Sequence, residues 1–160
     1  MMVNIEKPNE DDLKKLATLY KEVFTVHNIF IKPDKDVLDY LQNVDGEILV
    51  AKEEGKVLGG CLVESTKNQY SHSLWRIKHL AIAKGNQHHG VGSAILDEIE
   101  DMIKERISIK DMKSAKIEVH VAENEKESIG FYKKHGFEVE GELKDHYRKG
   151  EICYILGKSF

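Results

Sequence analysis

Cysteine and proline are almost missing from this chain, with two of each in 160 residues. Cys61 and Cys153 lie far apart, so neither a disulfide framework nor a CxxC metal motif can form, and reduced core thiols are the remaining reading. No Ser-rich, low-complexity or repeated stretch marks a linker, so a single domain over residues 1–160 is expected. No apolar run reaches the length that crosses a bilayer, and the N-terminus turns polar at once instead of forming a signal peptide. The expectation is a cytoplasmic protein with no membrane partner. Basic charge is not in excess either. A net charge of −4 argues against broad nucleic-acid binding, which calls for a basic face. What is present, 41% hydrophobic and 32% charged residues, suits a globular protein with a core of its own.

Periodicity supplies the element order. Val3–Glu6 reads as a short strand, and "PNEDDLKKLATLYKEVF" as a helix capped by Asn9, with Leu13, Leu16, Leu19/Tyr20 and Val23/Phe24 on one face. A loop and a short helix near Asp34–Leu41 follow. "EILVAKEEGKVLGGCLVES" reads as a hairpin turning at Gly55. A polar loop over Thr66–Ser73 leads to a strand at Leu74–Ile82, then a helix to about Ile107 with apolar positions 91, 94, 95, 99, 102 and 103. Ala115–Val121 is a strand and Lys126–His135 a helix stopped by Gly136; Phe137–Glu140 and Ile152–Leu156 are the last strands. The order β α α β β β α β α β β predicts an α/β (α+β) fold. Its sheet is mixed and mostly antiparallel, with a central parallel βαβ unit and helices on both faces.

The segment "KHLAIAKGNQHHGVGSAILDEIE", Lys78–Glu100, carries the chemistry. It is a strand, a polar turn and an amphipathic helix, with Gly90 and Gly92 where the helix begins. A helix start presents unpaired N–H groups and partial positive charge, and glycine lets a ligand approach the backbone. Together these suit a phosphate. Val91-Gly92 stands where a nucleotide-triphosphate loop needs Lys-Ser/Thr, and the GxGxxG spacing is absent. Two readings remain open from the residues alone: a pyrophosphate cradle without phosphoryl-transfer machinery, or glycines that only permit tight helix–strand packing. His88 and His89 are adjacent and cannot easily share one ion, and no HExxH or Cys/His pair accompanies them, so no metal is expected.

"Q-H-H-G-V-G", Gln87–Gly92, resembles the Q/R-x-x-G-x-G/A signature of the GNAT superfamily of acetyl-CoA-dependent N-acetyltransferases. "HLAI" resembles that family's fourth strand, and "GFYKKHGF" (130–137) its second signature. The resemblance covers nearly the whole chain. It implies acetyl-CoA as cofactor, its pyrophosphate held by backbone N–H groups of Gln87, His88, His89, Gly90, Val91, Gly92 and Ser93, and its pantetheine arm along Leu80, Ala81 and Ile82. The acceptor amine then attacks the thioester directly, through a tetrahedral intermediate. Tyr132 falls on the family's tyrosine, placed against the coenzyme's sulfur as the acid that protonates the leaving thiolate; read from the residues alone it is equally a core tyrosine. The family's asparagine stands seven residues before that tyrosine, where this chain has Glu125; Asn124, one residue early, is the nearest coenzyme contact.

The acceptor amine must lose a proton. In "KIEVHVA", Ile117, Val119 and Val121 share one strand face, and Glu118 and His120 the other. Glu118 is a candidate base, as "IEV" resembles the "LEV" strand of RimI-like ribosomal-protein acetyltransferases. His120 is another by intrinsic pKa. A water relay, His79 or Lys78 are alternatives, and an ordinary solvated strand face is the non-catalytic reading. "LKDHYRKGEICYILGK" resembles the ending of RimI-like and archaeal N-terminal acetyltransferases, whose tyrosine pair lines a peptide slot. Tyr147 matches that pair and His146 departs from it. A protein or peptide N-terminal α-amine is the expected acceptor. A small amine is the rival, either an amino sugar or a polyamine drawn to Asp34, Asp36 and Asp39, though those acids also fit a solvated helix face. A non-catalytic acetyl-CoA-binding regulator is the third reading. Monomer and homodimer both remain open.

Overall fold

The computed structural model describes residues 2–25, 29–109 and 112–160. The elements follow the expected order: β1 (Asn4–Glu6), α1 (Glu10–Val23), α2 (Asp34–Gln42), β2 (Glu47–Glu53), β3 (Lys56–Gln69), β4 (His72–Ile82), α3 (Val91–Ile109), β5 (Ser114–Ala122), α4 (Lys126–Lys134), β6 (Glu138–Lys144) and β7 (Ile152–Ser159). The seven strands hydrogen-bond in the order β1-β2-β3-β4-β5-β7-β6. The expected parallel pair is β4 with β5, in register from His72↔Ser114 to Ile77↔Val119. β7 pairs antiparallel with both β5 and β6. Among the described residues no helix is long and apolar enough to cross a membrane. The chain gathers into two units, each of two segments: Met1–Glu64 with His79–Glu105, and Ser65–Lys78 with Arg106–Phe160.

In the first unit, α1 begins with a reciprocal cap. Asn9 Oδ1 accepts the Asp12 N–H at 2.8 Å, and Asp12 Oδ2 accepts the Asn9 N–H at 3.1 Å. Asp12 is nonetheless buried, at 2% exposure, because Lys52 of β2 reaches it at 3.0 Å. Burial alone would raise its pKa; the Asn9 N–H and the Lys52 ammonium outweigh that and lower it. The core below α1 takes Leu16, Tyr20, Phe30, Val37, Val50 and Ala81. Fully burying one such aliphatic or aromatic side chain is worth about 2 kcal/mol, roughly twice a cap, so α1 is held by its apolar face. Gly60 is where β2 approaches: a Cβ there would lie 2.9 Å from the Leu49 carbonyl oxygen.

The polar loop expected over Thr66–Ser73 is not formed. β3 runs to Gln69 and β4 starts at His72, leaving a two-residue turn in which Tyr70 and Ser71 have φ of 55° and 60°. Two consecutive left-handed residues match the right-handed twist of a hairpin, a geometry usually taken by Asn-Gly. In β5 the alternation holds, with Ala115, Ile117, Val119 and Val121 buried. In α3 the buried face is Val91, Ile95, Leu96, Ile99 and Ile103; Leu96 joins it, while positions 94 and 102 are only half-buried.

Candidate active site

The first unit holds the glycine turn. β4 leaves the sheet at Ile82, and the Ala83 N–H bonds to the Leu58 carbonyl at 2.8 Å. Ala81 is packed into the core, while Leu80 and Ile82 are half-buried. The chain then turns with φ of 89° at Gly85, 64° at His88 and 85° at Gly90. Gln87, His88, His89 and Gly90 are exposed, and Val91, at 1% exposure, pins the start of α3. Gln87 Nε2 donates to the Ile82 carbonyl at 3.3 Å, closing the turn back on its strand. The Ala94 N–H takes the Gly90 carbonyl at 3.0 Å, so the N–H groups of Val91, Gly92 and Ser93 precede the helix's own ladder. A Cβ at Gly90 would meet nothing within 4 Å. Tight packing therefore does not account for Gly90: its backbone is left-handed and the space above it is open. Both properties fit a backbone cradle for a diphosphate.

His79, named as a substitute base, is committed elsewhere in this unit. Its Nε2 lies 2.8 Å from the Tyr40 hydroxyl, and the rings of Tyr20, Phe24 and Phe30 surround it at 5.0–6.2 Å. Asp34, Asp36 and Asp39 are exposed on α2, and Lys21 already pairs with Asp34.

The second unit brings the other candidates together. Glu118 and His120 share the solvent-side face of β5, as alternation demands, but each has a cationic neighbour. Lys116 pairs with Glu118 at 3.4 Å and also with Glu140 of β6. Arg76 Nη2 stands 2.6 Å from His120 Nδ1. A guanidinium has no acceptor, so Nδ1 accepts and the ring proton sits on Nε2. Burial, then the charges of Arg76 and His146, push His120 down to about 4. His146 and Tyr147 come from the turn between β6 and β7. The His120 and His146 rings lie 5.6 Å apart, and His146 and Tyr147 4.7 Å apart. Burial, and then the neighbouring thiol of buried Cys153, push Tyr147 up to about 12. Both cysteines are free and buried, as expected.

Ligand atoms of His120, His146 and Cys153 lie within 4.8 Å of one another, a trio the sequence reading did not assemble. Arg76 opposes a metal there. An ion on Nδ1 would displace the guanidinium, and an ion on Nε2 would put the proton on Nδ1, facing an Arg N–H donor. Arg76 is the neighbour of His120 that sequence reasoning passed over. Its signal was present: Trp75 and Ile77 are buried, so Arg76 alternates onto the opposite face with Lys78.

Tyr132 is 4% exposed on α4, edge-on to Phe131 at 5.1 Å and Phe137 at 5.2 Å. Asn124 is exposed in the turn before α4. The Glu125 carboxylate, at the position the family gives to asparagine, folds back to accept the Ala122 N–H at 3.1 Å.

No curated protein matches the chain in sequence. Among solved structures, Naa50 of Arabidopsis thaliana, in complex with the bisubstrate analogue CoA-Ac-MVNAL, superposes with a TM-score of 0.76 over 100% of both chains at 23% identity. Ard1 of Thermoplasma volcanium gives 0.77 over 99% of this chain and 98% of that one, at 21%. A spermidine N-acetyltransferase SpeG chimera of Vibrio cholerae and hSSAT gives 0.75 over 98% and 95%, at 15%. These likenesses show a shared fold. The acetyltransferase (GNAT) domain family matches residues 44–139, from the start of the first hairpin to β6 and across both signatures. The chain belongs to the GNAT family of acetyl-CoA-dependent N-acetyltransferases.

Proposed function

We propose that the acceptor is the α-amine of a peptide or protein N-terminus. The observation that carries this reading is that both candidate bases are engaged by cations: Arg76 donates to His120, and Lys116 pairs with Glu118. An α-amine, with a pKa of about 8, is roughly one-tenth unprotonated at pH 7, whereas an alkyl amine near about 10 is unprotonated about once in a thousand. A site without a strong free base favours the first by about a hundredfold. Tyr147, which matches the tyrosine pair of the RimI-like peptide slot, packs on His146, which departs from that pair and packs on His120; the Tyr147 match supports the same reading. Among the structural neighbours, the Naa50 analogue carries a peptide, whereas the SpeG chimera is named for spermidine.

Acetyl-CoA supplies the acetyl group as a thioester. The turn from Gln87 to Ser93 offers its backbone N–H groups to the diphosphate, with Gly90 keeping the approach open. Leu80 and Ile82 line the pantetheine arm, and Asn124 adds a contact from the turn before α4. Tyr132 gives its phenolic proton to the departing sulfur as negative charge develops there. Water carries the proton away from the attacking amine, because His120 is a weak base and Glu118 is held by Lys116.

The test is acetyl-CoA turnover, with product detection, on peptides with free N-termini, N-terminally blocked lysine peptides and spermidine. Acetylation of the free N-termini is expected. Turnover confined to spermidine or lysine side chains would overturn the reading.

A further inference from the structure

Arg76 has one donor too many. Its Nη2 serves His120, but its Nε is buried and has no hydrogen-bond partner. Among the described residues no carboxylate pairs with it. Its register neighbour across the parallel ladder is Glu118, the obvious counter-ion, yet Glu118 is taken by Lys116 at 3.4 Å. A buried guanidinium N–H without a partner is costly, and the planar fork of arginine matches a carboxylate better than any other partner. Of the titratable groups near it, none of His120, Tyr147 and Cys153 supplies negative charge: His120 is neutral, and burial keeps the protons on the Tyr147 hydroxyl and the Cys153 thiol. The coenzyme's diphosphate has its own cradle on the turn from Gln87 to Ser93.

We propose that Arg76 binds a carboxylate of the acceptor, so that the preferred substrates are peptides with aspartate or glutamate at the first or second position. This rests on the N-terminal α-amine reading and names its substrate class. Arg76 thereby sets specificity, and His120 positions the guanidinium through Nδ1 while keeping its own proton on Nε2. The acid that would satisfy Arg76 arrives with the substrate, which explains why the chain provides none.

The experiment compares kcat/KM for peptide pairs differing only in Glu against Gln, or Asp against Asn, at positions one and two, with free glutamate as a further acceptor. The native enzyme is expected to prefer the acidic member by about tenfold or more, mainly through KM. Arg76→Gln should abolish the preference, and Arg76→Lys should retain part of it, with thermal melts confirming that each variant is folded. Equal rates on acidic and amide peptides by the native enzyme would overturn the proposal, as would a preference surviving in folded Arg76→Gln. Should that variant not fold, the native ratio and Arg76→Lys decide by the same criteria. Turnover of free glutamate but of no peptide would remove the peptide reading and leave the carboxylate contact standing. Turnover of spermidine alone would remove both.

Discussion

Arg76 Nη2 lies 2.6 Å from His120 Nδ1, across the parallel pairing of β4 and β5. Because the guanidinium can only donate, this contact fixes the tautomer of His120, while burial first, and then the charges of Arg76 and His146, keep the ring neutral.

The pH dependence of stability follows. Unfolded, His120 titrates near ~6.5; folded, burial with the charges of Arg76, His146 and Lys78 lowers it to about 4, against an opposing pull from Glu118. The folded state binds fewer protons in that window. The contribution of His120 is therefore complete above its unfolded value and is lost as pH falls from there toward about 4. Urea midpoints should fall over this range, and His120→Gln should flatten part of the slope. In kinetics, kcat/KM should show no limb at the ordinary histidine value and instead rise toward the α-amine pKa near about 8. A limb near about 6.5 that disappears in His120→Gln would restore His120 as the base.

Gly90 and Gly85 make a matched pair. Their φ angles are 85° and 89°, and a Cβ at either meets nothing within 4 Å. Alanine at each should cost about 1 kcal/mol of stability through left-handed strain. Only Gly90→Ala should weaken acetyl-CoA binding, and Gly90→Val should weaken it further, by calorimetric titration. Equal affinity losses at both positions would show strain and not a blocked approach.

Tyr132→Phe retains the ring that packs on Phe131 and Phe137, so the fold should survive. Turnover should drop by about tenfold or more with little change in acetyl-CoA affinity. Unchanged turnover would take the hydroxyl out of the mechanism.

Asn9→Ala removes the oxygen that accepts the Asp12 N–H at 2.8 Å and should cost about 1 kcal/mol in urea unfolding without altering kcat/KM. A neutral result would mean that the Asp12–Lys52 ion pair alone secures the start of α1.

How far the sequence could be read depended on how local each cause was. The α1 face was legible because Leu16 and Tyr20 recur at helical spacing, and the β2–β3 turn because Gly55 announces it. The β3–β4 turn was not, because Tyr70 and Ser71 are poor left-handed residues and are held there by the strands that flank them. The acid at position 12 was readable as part of a capped first turn. Its burial was not, since Lys52, which makes burial tolerable, lies forty residues away.

The sequence by itself determined the element order, the glycine turn at a helix start, the alternation that set Glu118 beside His120, and the two signatures of the family. These are all patterns within one strand, turn or helix. Only the tertiary structure decided which charges meet. Arg76, His120, His146, Tyr147 and Cys153 are brought together by the register of β4 on β5 and by the chain's return through β7. The state of a titratable side chain depends on charges and burial within a few ångströms, which sequence separation does not reveal. That is why His120 was legible as a candidate base from its type, and was seen to be held neutral only once its neighbours were in place.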